Sequence, residues 1–81
     1  MSAGAGIESR SNVCGGAACV TGTRIPVWLI EQARRFGKSE AELLQMYPSL
    51  RAADLANAWA YVRLHPEEIE RQISENELSE L

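Results

Sequence analysis

Residues 20–27 read Val20-Thr21-Gly22-Thr23-Arg24-Ile25-Pro26-Val27, and this stretch decides the fold. Val20, Thr21, Thr23, Ile25 and Val27 are β-branched and favour extended backbone. Gly22 interrupts them where glycine alone turns left-handed without steric cost. Pro26 fixes its own φ, biases Ile25 toward extended geometry and suits the first position of a helix. The reading is two very short extended pieces around a turn at Thr21 to Thr23, then a helix start at Pro26. Pieces this short need a helix or a second chain to cover them.

Downstream, the spacing predicts a first helix over about residues 26–36. Leu29, Ile30, Ala33 and Phe36 share its apolar face, while Glu31, Arg34 and Arg35 face away. Trp28 lies off that stripe. Gly37 supplies a left-handed stop, with the arginines in the favoured last turn. Ser39-Glu40-Ala41-Glu42 is a capping box opening a second helix, with Leu43, Leu44 and Tyr47 inward and Met46 near the edge. Pro48 ends it. A third helix is expected over about residues 50–64 with Ser49 as N-cap. Leu55, Ala58, Trp59 and Val62 make its main face. Ala53, Ala60 and Leu64, interrupted by Asn57 and Tyr61, make a second apolar side, read as a dimer contact or a seat for the tail. His65 reads as a linker or cap residue. Pro66-Glu67-Glu68 opens a last helix on which Ile69 and Ile73 share a face, with fraying expected beyond Ser74.

Upstream, residues 1–11 are small, polar and without periodicity, so they are expected to be disordered. Cys14 and Cys19 are spaced C-x4-C, but a structural zinc site wants four ligands and the only histidine, His65, is remote. Cys19 reads as a small buried apolar residue. With 81 residues the chain is one small domain at most, marginal as a monomer, so oligomerisation is the expected further source of stability. It lacks an apolar run of membrane-spanning length and a signal-peptide pattern, which makes a cytoplasmic location the expectation.

Net charge is −3 and unevenly spread. Residues 1–65 carry seven Lys/Arg against five acids (+2), and residues 66–81 carry one base against six glutamates (−5). The organisation expected is therefore a core over residues 12–65 and an acidic tail over residues 66–81. The class is mainly all-α: a three-helix, helix-turn-helix-like bundle with a short extended hairpin before it and a helix after it.

The run Cys14-Gly-Gly, Cys19, Gly22-Thr-Arg-Ile-Pro-Val27 resembles domain-of-unknown-function family 433. Gly37-x-Ser39-x-x-Glu42-x-Leu44, Tyr47-Pro48-x-Leu50, Asp54-Leu55, Ala58, Ala60-Tyr61 and the His65-Pro66-Glu67-Glu68-Ile69 tail fit as well. The match covers about residues 12–75. It implies a homeodomain-like core, dimeric in most members, and a likeness to VapB-type antitoxins encoded beside a PIN-like ribonuclease toxin. The chain departs from the family pattern at Ala18, where a proline is usual, and at Thr21, where an arginine is common. Arg51 and Ala53 replace a Ser/Thr cap and an acid.

The leading expectation is a non-catalytic antitoxin-like module of a toxin–antitoxin pair. It dimerises, meets a toxin through Glu67, Glu68, Ile69, Glu70 and Ile73, and can reach operator DNA. The alternative is a DNA-binding helix-turn-helix regulator without a toxin partner. The residues available to double-stranded DNA are Arg24, Arg34, Arg35, Lys38, Arg51, Asn57 and Arg63, with Asp54 opposing them. Structural roles compete: Arg24 can bond turn carbonyls, and Arg34, Arg35 and Lys38 can form a solvated helix end. An enzyme is the least favoured reading. No serine or cysteine stands with a histidine, and no phosphate loop or ligand cluster is recognisable, so no catalytic residue, metal, cofactor or small-molecule substrate is expected.

Overall fold

The turn at Gly22 forms as its composition demands. The computed structural model describes residues 2–4, 6–10 and 13–79, and in it Gly22 has φ +81°. The Thr23 amide donates to the Val20 carbonyl at 3.0 Å and the Val20 amide to the Ile25 carbonyl at 3.1 Å. The Thr23 hydroxyl closes the loop by donating to Val20 O at 2.8 Å while accepting from the Ile25 amide at 3.1 Å. Beyond the turn, the second extended piece is reduced to one antiparallel bridge between Cys19 and Pro26.

The larger hairpin lies upstream. Strands β1 (Ser2–Gly4), β2 (Ile7–Arg10) and β3 (Val13–Val20) form an antiparallel sheet in the order β1-β2-β3. The expectation of disorder over residues 1–11 is therefore corrected for residues 2–4 and 7–10. Ile7 lies opposite Val20, Glu8 opposite Cys19 and Ser9 opposite Ala18. Ile7 is fully buried. One β-branched side chain in the core, with a backbone ladder on each side of it, outweighs the polar composition around it. Cys19 is buried, as read from its setting; the Cys14 side chain lies outside the described residues.

Four helices follow: α1 (Val27–Arg35), α2 (Glu40–Met46), α3 (Ala52–Leu64) and α4 (Pro66–Ser79). Pro26 is the extended N-cap of α1, and Gly37 past its end has φ +97°. The Ser39 capping box forms in full: Ser39 Oγ accepts the Glu42 amide at 3.1 Å, and Glu42 Oε1 accepts the Ser39 amide at 2.9 Å. The backbone bond to Ser39, then the hydroxyl bond, hold the Glu42 carboxyl below its ordinary range. That contribution is present above the usual carboxylate range and is lost as pH falls through the lowered value.

Two helix boundaries move. The N-cap of α3 is Arg51, not Ser49, because Asp54 Oδ2 accepts the Arg51 amide at 2.9 Å and does the capping from inside the helix. At the other end of the chain, α4 continues past Ser74 to Ser79.

The faces of α1 also differ from expectation. Val27, Ile30 and Glu31 are buried, while Phe36 is 75 % exposed. The helix is turned so that Val27, not Phe36, completes the stripe with Ile30, and this brings Glu31 inward. On α3, Leu55, Ala58 and Tyr61 are buried, and the side carrying Tyr61 is the seat for α4. Ile69 and Ile73 are buried in the same core as Ile7, Val20 and Leu55. Residues 66–79 thus belong to the domain and are not a separate tail.

Candidate functional site

The cations singled out for DNA divide into two groups. Arg34 and Arg35 are on α1 at i+3 and i+4 from the inward-turned Glu31. Arg34 Nε donates to Glu31 Oε1 and Arg35 Nε to Glu31 Oε2, each at 2.9 Å. Arg35 Nη1 also reaches the Glu70 carboxylate on α4 at 3.1 Å. The bond to Glu31, opposed by burial and aided by Glu70, raises the Arg35 pKa further above its ordinary value. The Arg34 guanidinium sits 4.4 Å from the centre of the Trp59 ring, whose Nε1 donates to Glu40 Oε2 at 3.0 Å. Arg34 thus ties α1 to α3 through Trp59, and Arg35 ties it to α4 through Glu70. They are structural cations, as a buried carboxylate requires.

Arg24, Lys38, Arg51 and Arg63 are exposed, and among the described residues they make no ion pair. Asn57 is half-buried on α3 against the turn between β1 and β2, so close that a side chain at Gly6 would collide with its amide. Gly6 has φ +71°, and its carbonyl accepts the Thr21 amide at 2.9 Å. Asn57 is therefore part of the joint between the sheet and α3.

The residues proposed for a partner also divide. Ile69 and Ile73 face the core. Glu68 is half-buried: its Oε2 accepts the Tyr61 hydroxyl at 2.8 Å, and its Oε1 lies 3.8 Å from His65 Nδ1. Burial first, then the Glu68 carboxylate, push the Tyr61 phenol above its usual range. The His65 ring stacks on Tyr61 with centroids 4.3 Å apart. Glu67 and Glu70 are exposed, Glu70 with its ion pair to Arg35. Between α3 and α4, Leu64, His65, Pro66, Glu67 and Glu68 line an open depression of about 310 Å³.

Residues 7–62, from the start of β2 into the last turn of α3, match the family described as "Protein of unknown function (DUF433)". The chain belongs to the DUF433 family. This DUF433 chain is also similar to a DUF433 member protein from Anabaena variabilis ATCC 29413, known from a crystal structure at 2.00 Å resolution. The two share 45% sequence identity with a TM-score of 0.83, over 85% of this chain and 68% of that one. Comparison with the curated proteins finds no match. All of α4 lies beyond the family match, yet its Ile69 and Ile73 complete the core of this DUF433 chain.

Among the described residues, no group of three or more His, Cys, Asp or Glu is placed to hold a metal ion. No helix among them is long and apolar enough to cross a membrane. The feature that sequence reasoning missed in this DUF433 chain is the buried Glu31. Its signal was present in the i, i+3, i+4 spacing of Glu31, Arg34 and Arg35, which places all three side chains within reach on one helix.

Proposed function

We propose that this DUF433 member is a non-catalytic, antitoxin-like module that self-associates and neutralises a PIN-like ribonuclease toxin through α4. The observation that carries the reading is the division of labour on that helix. Ile69 and Ile73 seat it on the core, and Glu67, Glu70, Glu75 and Glu77 are exposed, with Arg71 among them. A ribonuclease holds RNA with cations, and a rigid row of carboxylates can occupy that groove in place of phosphates. The isoleucines thus act by holding the helix in place, and the carboxylates make the contact. The test is co-expression of the full chain with the product of the neighbouring gene. Capture should be weakened at least about tenfold by the double reversal Glu75→Lys, Glu77→Lys. Equal capture by wild type and variant would refute the reading.

A second reading, operator binding, is favoured by one observation: Arg24, Lys38, Arg51 and Arg63 remain exposed and unpaired among the described residues. With few phosphate contacts per subunit, such binding should be modest and steeply salt-dependent, most of it vanishing between low and physiological salt. Fluorescence anisotropy on the upstream DNA checks this; tight binding that survives high salt would show a different reading surface.

A further inference from the structure

Among the described residues of α4, only Ile69 and Ile73 are buried. By the helical period they stand roughly 40° apart around its axis. A core-facing helix ordinarily presents roughly 100° or more of apolar surface, so a stripe this narrow seats α4 without fixing how it is rolled. The roll observed is off-centre. Glu68, Gln72 and Asn76, spaced by four along one flank of the stripe, are half-buried, whereas Glu70, Ser74 and Glu77 on the other flank are exposed.

The flank turned inward gains one bond to α3: Glu68 Oε2 accepts the Tyr61 hydroxyl at 2.8 Å. One turn further on it carries a penalty. The side-chain carbonyl oxygen of Gln72 is buried with no hydrogen-bond partner, and a buried acceptor left unpaired loses its hydration without compensation. Rolling α4 the other way would centre the isoleucines and return Gln72 to water, at the loss of the Tyr61–Glu68 bond. Two other contacts do not decide between the rolls. His65 Nδ1, 3.8 Å from Glu68 Oε1, is too distant for a hydrogen bond. The Arg35–Glu70 pair on the opposite flank is exposed and built from long side chains, so it tolerates either setting.

We propose that Tyr61 is the positioning residue of α4: its hydroxyl holds the helix rolled toward α3 against the unpaired oxygen of Gln72, and so selects the carboxylates that the helix presents. With the bond made, Glu70 and Glu77 face outward. With it lost, they turn toward α1, and Glu68 and Glu75 move out in their place. The presentation of carboxylates rests on our functional reading of α4; the roll does not.

The test compares Tyr61→Phe, Gln72→Met and the double variant as full chains, each checked for folding by circular dichroism. The first readout is NMR relaxation by a soluble gadolinium chelate, which acts most strongly on protons near solvent. In Tyr61→Phe, relaxation of the α-protons at residues 68, 72 and 76 should rise at least about twofold as the population shifts, with a fall at 70 and 77. Leu55 and Ala58, buried on α3, should not change. Gln72→Met should raise the denaturation midpoint, because methionine fills the site without an unpaired polar atom. The double variant should keep the wild-type relaxation pattern, since nothing then drives residue 72 outward. The second readout is capture of the neighbouring gene product, which Tyr61→Phe should weaken at least about fivefold and the double variant should restore.

A Tyr61→Phe protein with the wild-type relaxation pattern overturns the inference, because Tyr61 is then only a stabilising contact. So does a lowered midpoint in Gln72→Met, which would show that the Gln72 oxygen has a partner. Capture that is unchanged by an altered roll overturns the role in presentation. Wild-type protein that captures nothing refutes the antitoxin reading, and the relaxation pattern still decides the roll.

Discussion

A chain ending at His65 should lose its cooperative unfolding transition and expose apolar surface. The truncation removes Ile69 and Ile73 from the core, strips the cover from Tyr61 and deprives Arg35 of Glu70. Two buried isoleucines contribute roughly 3–6 kcal/mol by area alone, comparable with the whole stability expected of a small domain. Chemical denaturation followed by far-UV circular dichroism should show a sloping, non-sigmoidal loss of helix and raised dye binding. A truncated protein that unfolds as sharply as the full chain would show that α4 is only laid against a finished core.

Ile7→Ala should destabilise the domain by about 2–5 kcal/mol, the usual range for emptying a buried isoleucine site. Ile7 stands among residues of unremarkable, polar composition, yet its side chain is fully buried opposite Val20. The measurement is the shift in denaturation midpoint at unchanged slope. A shift of a few tenths of a kcal/mol would mean that the β2–β3 pair contributes little to the core.

The parts of this fold that were legible in the sequence are those set by local chemistry. The Gly22 turn, the Pro26 helix start, the Ser39–Glu42 capping box and the Gly37 stop each depend on residues within a few positions of one another. What was misread, or left between two readings as the seat beside Tyr61 was, depends on contacts distant in the chain. Ile7 finds Val20, the seat beside Tyr61 finds α4, and α1 turns by part of a face to bury Val27 and not Phe36. Periodicity defines a stripe on a helix only to within a residue or so, and a buried Glu31 becomes acceptable only once two arginines reach it. The same limit applied to the surfaces. Seven residues were available to DNA by type, but type alone does not reveal that Arg34 and Arg35 are spent on Glu31, or that Asn57 is wedged against Gly6.

The burial of Ile69 and Ile73 also bears on how the chain folds as it is made. Synthesis proceeds from the N-terminus, and domains generally fold as units when their last essential residues become available. Here the strand carrying Ile7 leaves the ribosome first and the helix carrying Ile73 long after it, while both belong to one core. The nascent chain therefore carries an unfilled slot along α1 and α3 until residue 73 is free. During that interval the slot is the feature a chaperone would bind, and a pause in translation across residues 65–73 would lengthen its exposure.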